Sequence, residues 1–395
     1  MENVMPWSEK DLMLLRKEFV LQANKKAIPF ARLCRMYNIS RKTGYKWLAR
    51  YQQKEVEPFM NKSTKPSSTP TATSEQLVKQ IIRVRQAHPK WGGRKIRAYL
   101  IQQQVASVPA ASTISGILKR RGYVDLQAQR HPNYQRFEHD SPNHLWQMDF
   151  KGHFAYESGR CHPLTMLDDR SRFLLCLQAC KNEQKLTVQE QLIRVFQRYG
   201  LPERINVDNG APWGSLFKVC RYTSLSVWLI KHGVQVSYSR PHHPQTNGKI
   251  ERLHRTLKSE LLSATYFRSL EQIQTRFNEW QNCYNVERPH EALNMQVPAH
   301  FYQPSYREYQ EKVAEYEYSK DYQLYTIDVR GRLAINGYPL FVGVPFAKEL
   351  LGVRQTNIDG QIEIYFRHQK LGRVNLTKFN KGEHLNLYKI ARDSR

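Results

Sequence analysis

Acidic side chains are scarce in this chain of 395 residues: 35 Asp and Glu stand against 61 Lys and Arg, a formal net charge of +26. An excess of that size favours polyanions, because phosphate neutralisation and counterion release raise both affinity and on-rate. Long apolar runs are also lacking. No stretch approaches the roughly 20 apolar residues of a transmembrane helix. The N-terminus, Met-Glu-Asn-Val-Met-Pro-Trp, has no signal-peptide core. A membrane is therefore discounted as partner, and nucleic acid is favoured. Cysteine is sparse, with Cys34, Cys161, Cys176, Cys180, Cys220 and Cys283 and no Cys-x-x-Cys pair. Neither a zinc ribbon nor a thiol redox motif is suggested. Free thiols without a signal fit a reducing cytoplasm, and Cys176 and Cys180 read as core packing.

The charge is uneven. Residues 1–142 hold 26 basic and 10 acidic side chains, so the first third carries most of the excess. The length predicts about two to four domains. Residues 8–23 read as an amphipathic helix, Pro29–Tyr37 as a second, and Arg41–Tyr51 as a basic third opening after Ser40. This unit, 1–56, resembles a helix-turn-helix DNA-binding domain, with Arg41, Lys42, Thr43 and Lys46 placed to reach bases or phosphates. Tyr45 is open to either contact or to packing, and Trp47 and Leu48 face the core. A linker over 57–74 is rich in Ser, Thr and Pro. Residues 75–123 predict three more helices: one from Leu77, one after a Trp91-Gly92-Gly93 packing corner, and one over Ser112–Tyr123 that is capped at its start and stopped by glycine. Lys119, Arg120 and Arg121 are its candidate DNA contacts. Residues 124–141 form a second linker.

From Asn143 the pattern becomes α/β. Leu145–Tyr156, Cys161–Asp168 and Arg172–Ala179 read as a strand meander. A helix over Leu186–Tyr199, a strand over Arg204–Asp208, a helix from Leu225, a strand over Val234–Tyr238 and two further helices follow. Asp149 lies in the apolar-rich run Leu-Trp-Gln-Met-Asp-Phe, and Asp208 ends a short strand before an Asn-Gly turn. Glu251 falls in the early turns of a helix capped by Thr246 or Asn247, after a loop broken by Pro241 and Pro244. His254, Arg255 and Lys258 share its face. The acids are separated by 59 and 43 residues. Two strands and a helix can bring them together. Asp168 and Asp169 are explained by turn chemistry.

The ordered set Trp-Gln-Met-Asp-Phe, Asn-Val-Asp-Asn-Gly and Arg-Pro-His-His-Pro-Gln-Thr-Asn-Gly-Lys-Ile-Glu-Arg-Leu-His-Arg resembles the integrase core of DDE transposases, above all the single-frame transposases of bacterial insertion sequences, relatives of retroviral integrases. The likeness covers roughly Pro142 to Tyr302. It departs in a longer gap between the second and third acids, with the extra residues around Trp213–Ser224. It implies an RNase-H-like fold for 142–302 and Asp149, Asp208 and Glu251 as catalytic, metal-holding residues. Residues 75–123 would be a second helix-turn-helix, and Asn285–Leu293 would supply packing and backbone contact. His242, His243 and Asn247 would shape the loop before the active helix.

Phosphodiester chemistry needs an activated nucleophile and a stabilised leaving oxygen, and two divalent ions about 3.5–4 Å apart supply both. Mg²⁺ prefers oxygen ligands, so three carboxylates suit it, with Mn²⁺ as a substitute. Asp149 would bridge the ions, Asp208 hold one and Glu251 the other. Lys249, Arg252, Arg255 and Lys258 would meet DNA. The resemblance implies hydrolysis at transposon ends and strand transfer into target DNA by a homo-oligomer, dimer or tetramer, in the bacterial cytoplasm at the nucleoid. It leaves open whether an ATPase helper is needed. Two rivals remain: a DNA-binding regulator with an inactive core, and an RNase-H-type nuclease without strand transfer. Beyond a helical connector at 303–320, the hairpin signals Asn336-Gly337 and Asp359-Gly360 predict a small β-barrel over 321–395, which the resemblance to integrases implies is SH3-like, binding DNA or another protomer.

Overall fold

The computed structural model describes residues 9–54, 57–62, 72–123, 140–214, 220–239 and 248–393. Two compact units divide at Ala72. The first is a three-helix bundle: α1 (Glu9–Lys25), α2 (Phe30–Met36) and α3 (Arg41–Gln52). Ser40 opens α3, its hydroxyl accepting the Thr43 amide at 3.1 Å. Gly44 has a packing reason, since a Cβ there would lie 2.9 Å from Cys34 Sγ and Phe19. The first residues of the expected linker are held to the bundle. Arg16 and Arg50 donate to the carbonyls of Phe59 and Met60, and Phe59 stacks on Tyr51.

The second unit begins with another three-helix bundle: α4 (Glu75–Ala87), α5 (Gly93–Gln102) and α6 (Ala111–Arg120). Trp91 is 1% exposed at the corner before α5. A Cβ on Gly93 would lie 2.4 Å from the Ala111 carbonyl, so glycine permits the close α5–α6 crossing. The expected cap near Ser112 is not formed: Ala110 holds that position without a side-chain bond. The glycine stop is present at Gly122, with φ +77°.

A mixed sheet follows. β1 (Leu145–Phe150) and β2 (Phe154–Tyr156) run antiparallel to β3 (Gly159–Asp168), which also pairs with β4 (Leu174–Cys180). After α7 (Lys185–Tyr199), β5 (Arg204–Val207) pairs parallel with β1. After α8 (Ser224–Lys231), β6 (Gln235–Tyr238) pairs parallel with β5. α9 (Gly248–Glu260) and α10 (Leu270–Asn282) pack against β1, β3 and β4, burying Ile250, Leu253, Leu257, Ile273 and Phe277. This is the RNase-H-like order that the sequence predicts. The main departure within it is that the first expected strand is split in two.

α10 continues into a π-helical turn, Cys283–Glu287. Asn285 there satisfies both backbone groups of Leu174. Arg288 forks onto Glu260, and His290 packs edge-on against Tyr284. The Asn285–Leu293 segment is therefore packing and backbone contact.

Residues 303–320, expected as a helical connector, contain no helix. The helical composition is overridden by tertiary backbone bonding, and Pro304 removes a donor at the start. Ser305 and Arg307 pair with the backbone of Tyr199 and Leu201, and the Arg307 guanidinium donates to the carbonyls of Pro202 and Gly233.

Beyond this strap lie β7 (Gln323–Thr326), β8 (Arg332–Ile335), β9 (Tyr338–Phe341), β10 (Leu350–Gln355), β11 (Gln361–Phe366), β12 (Gln369–Asn375), β13 (Leu385–Asn386) and α11 (Leu387–Asp393). Both hairpin signals hold, joining β8 to β9 and β10 to β11. A closed SH3-like barrel is not found among the described residues. The strands form two sheets, β12-β11-β10-β7 and β13-β9-β8. One apolar cluster runs from Trp146 and Ile205 through Tyr222 to Phe346 and Ile364, so these sheets share a core with the mixed sheet. Among the described residues, no helix is long and apolar enough to cross a membrane.

Candidate active site

The parallel register pairs Gln147 with Asn206. Two residues further along each strand stand Asp149 and Asp208. These are the carboxyl ends of neighbouring parallel strands, where open α/β sheets bind their ligands. Burial and then the Asp208 carboxylate push the Asp149 carboxyl up to about 7, with Glu183 and Glu251 adding to the push and the Phe150 amide opposing it. Asp149 thus feels both of the other predicted acids. Asp208 is exposed, and its Oδ1 accepts the Asn209 amide at 2.7 Å. Glu251 is exposed in the first turn of α9, where the helix dipole favours a carboxylate.

A buried polar cluster fixes that turn. Gln147 Oε1 accepts the Ile250 amide at 3.2 Å, and its Nε2 donates to Asp169 Oδ1 at 2.9 Å. Asp169, 2% exposed, accepts Lys249 Nζ at 2.5 Å. Thr165 Oγ1 donates to the Asp149 carbonyl at 2.8 Å, leaving its lone pair to accept from His254 Nε2, also at 2.8 Å. His254 is therefore the neutral Nε2–H tautomer. Its pKa, depressed to about 4 by burial and by Lys151, agrees.

The remaining predicted contacts divide. Arg252, Arg255 and Lys258 are exposed along α9, whereas Lys249 is turned inward onto Asp169. Asp168 performs turn chemistry, accepting the Ser171 amide and hydroxyl and the Asn143 amide. Arg41, Lys42 and Lys46 are exposed on α3, with Lys46 Nζ 4.9 Å from the Trp47 ring centroid, while Thr43 shares the Ser40 cap. Tyr45 stacks on Phe30 at 4.2 Å. Lys119, Arg120 and Arg121 are exposed at the end of α6, and Arg121 reaches Glu75. His242, His243 and the helix cap at Thr246 or Asn247 lie outside the described residues, as do residues 215–219 of the longer gap.

Sequence reasoning did not find Gln147, Thr165, Lys151 or Glu183. Glu183 is hydrogen-bonded to His162 Nδ1 at 2.8 Å. Burial and Lys258 both lower the pKa of Lys151, which places a second cation near Lys258 in the last turn of α9. Gln147 lies inside the Trp-Gln-Met-Asp-Phe run, which marks Asp149 rather than its neighbour, and no short motif marks the other three.

Four family descriptions match the chain: integrase core domain over residues 139–244 and again over 232–298, homeodomain-like domain over 43–118, and the C-terminal domain of IS481-family transposases over 322–382. The uncharacterized 31.7 kDa protein of insertion element IS407 from Burkholderia multivorans is 26% identical over 41% of this chain. The uncharacterized 39.2 kDa protein of IS476 from Xanthomonas euvesicatoria is 24% identical over 59% of it. The chain spans only 56% and 66% of those relatives. The Gag-Pol polyprotein of baboon endogenous virus is 25% identical over 49% of the chain and 11% of the polyprotein. A structure of the HTLV-2 integrase catalytic core domain is 17% identical, covers 42% of this chain and 99% of its own, and has a TM-score of 0.32. The chain is thus similar to proteins of bacterial insertion elements and to a retroviral polyprotein, and parts of it match the integrase core domain and the C-terminal domain of IS481-family transposases.

Proposed function

We propose that this protein is a DNA transposase that binds the terminal inverted repeats of an insertion sequence, cleaves at the 3′ ends and transfers the new 3′-hydroxyls into target DNA. The observation that supports this reading is that Asp208 and Glu251 both act on the Asp149 carboxyl at the carboxyl ends of β1 and β5, in a sheet that lies within an integrase-core match. The donor set fits a divalent cation: every donor is a carboxylate oxygen, and the upward push on Asp149 marks acids short of positive charge. When bound, a pair of Mg²⁺ ions, or Mn²⁺ in their place, would lower the pKa of an attacking water or hydroxyl and stabilise the leaving oxygen. Asp149, Asp208 and Glu251 would hold the pair. Gln147, Asp169 and Lys249 set the first turn of α9, so Glu251 arrives oriented. Arg252, Arg255 and Lys258 would hold the DNA backbone beside these acids, and no lysine or histidine base is required.

Around this core, the α1–α3 bundle (1–56) would read DNA through Arg41, Lys42 and Lys46, and the bundle over 75–123 through Lys119 and Arg120. Two tethered readers raise affinity by effective concentration. Joining two ends requires a homo-oligomer on DNA, acting in a bacterial cytoplasm. The test is strand transfer by purified protein with labelled DNA from the element's ends and a plasmid target, in Mg²⁺ or EDTA. Joined products should need Mg²⁺ and fall at least about 10³-fold in Asp208→Asn, with end binding retained. Nicking without joining would indicate a nuclease. Specific binding without cleavage in any divalent ion would indicate a regulator.

A further inference from the structure

His88, Cys283 and Glu287, none of them among the acids described above, come together with their ligand atoms all within 4.8 Å of one another. They arrive from two modules. His88 ends α4 of the second bundle, whereas Cys283 and Glu287 are the first and last residues of the π-helical turn after α10. All three are half-buried. The His88 ring is fixed by stacking on Trp91 at 3.8 Å and 8°, and Tyr99 of α5 meets it edge-on. Cys283 packs against the apolar cluster of the bundle. Gln102 of α5 donates to the Val286 carbonyl at 2.9 Å, so the two modules are already in register here.

We propose that His88, Cys283 and Glu287 form a Zn²⁺ site that pins the second helical bundle to the domain bearing the acidic triad. One imidazole, one thiolate and one carboxylate make a borderline-soft donor set, which selects zinc over magnesium. Bond lengths of about 2.3 Å to sulfur and 2.0 Å to nitrogen at tetrahedral angles put ligand atoms about 3.5 Å apart. The side chains need to close by only about an ångström, and water can take the fourth position. Without a cation the cluster is ill-matched. Burial and the Glu287 and Glu260 carboxylates push the Cys283 thiol up to about 12, so it stays neutral. A divalent ion reverses that balance and displaces the thiol proton, which makes binding tighter as pH rises.

The test uses the full chain carrying Asp208→Asn, which weakens metal binding at the acidic triad. Stripped protein is titrated with Co²⁺ and then with Zn²⁺ against a chromophoric chelator. A thiolate-to-cobalt charge-transfer band should appear with about one equivalent and be displaced by zinc. Cys283→Ser should abolish the band, and Glu287→Gln and His88→Gln should each weaken Zn²⁺ binding about tenfold or more. Circular dichroism and metal-free melting of each variant establish that it folds. Zn²⁺ should raise the melting temperature of the parent and not of Cys283→Ser. A band that persists in Cys283→Ser, the lack of any band, or equal zinc affinity in parent and folded variants would overturn the site.

Discussion

Two groups of acids in this molecule are balanced in opposite ways. At the carboxyl ends of β1 and β5, burial and then the Asp208 carboxylate, with smaller pushes from Glu183 and Glu251, hold the Asp149 carboxyl at about 7. On the C-terminal sheet, Glu363 of β11 is 6% exposed yet lies beneath Arg354, Lys370 and Arg373 and accepts from Tyr365. Its carboxyl is pulled down to about 2, chiefly by Lys370. Asp169 belongs with Glu363, since Lys249 answers it. A carboxylate surrounded by donors is a finished structural part. An acid that burial and neighbouring carboxylates push up has no such answer, and imbalance of this kind concentrates at functional sites. The contrast separates acids that hold the fold from acids that would work on a substrate.

The contrast is broken most severely at Asp169. Asp169→Asn keeps the shape and the bond from Gln147 but leaves Lys249 without its carboxylate. Losing one member of a buried pair is expected to cost about 3 kcal/mol, measured by urea denaturation. It should also loosen the first turn of α9, so joining activity should fall although Asp169 is not one of the proposed metal ligands. Unchanged stability would mean that this acid is no more compensated than the triad.

Glu363→Gln is the next largest. The folded pKa lies below the unfolded value, so the group stabilises above about pH 4.5, and that stability is lost as pH falls toward 2. The exposed cations screen part of the effect, leaving about 2 kcal/mol at neutral pH. The wild type should therefore lose stability between about pH 4.5 and 2 in acid melts, and Glu363→Gln should be weaker at pH 7 and flatter across that window. Equal acid sensitivity in the two proteins would remove Glu363 from the satisfied class.

How far each group shows in the sequence follows from the same physics. Asp149, Asp208 and Glu251 sit in short motifs whose order and element types already suggest convergence, and the strand–helix order around them is legible from periodicity. Asp169 is not, because an Asp-Asp-Arg-Ser run looks like turn chemistry, and only Asp168 fulfils that reading. Glu363 alternates unremarkably along a strand, and its three cations come from positions across two hairpins. The strap over 303–320 reads as helix because its composition is helical. What overrules that is backbone pairing with Tyr199 and Leu201, and no local pattern encodes it. The shared core between the C-terminal sheets and the mixed sheet is hidden for the same reason. So is the meeting of His88 with Cys283, residues 195 positions apart in the chain.

The smallest predicted effect is the most discriminating. If the acids at the ends of β1 and β5 lack a cation while Glu363 has its own, added Mg²⁺ should stabilise only through the former. At tenfold over its dissociation constant, a bound ion adds about 1.4 kcal/mol, a rise of about 3 °C in melting temperature for a unit of this size. That rise should vanish in Asp208→Asn and survive in Glu363→Gln, with K⁺ at matched ionic strength as the control for screening. A rise that survives Asp208→Asn would place the cation elsewhere and strip the three acids of the role that their mutual repulsion argues for.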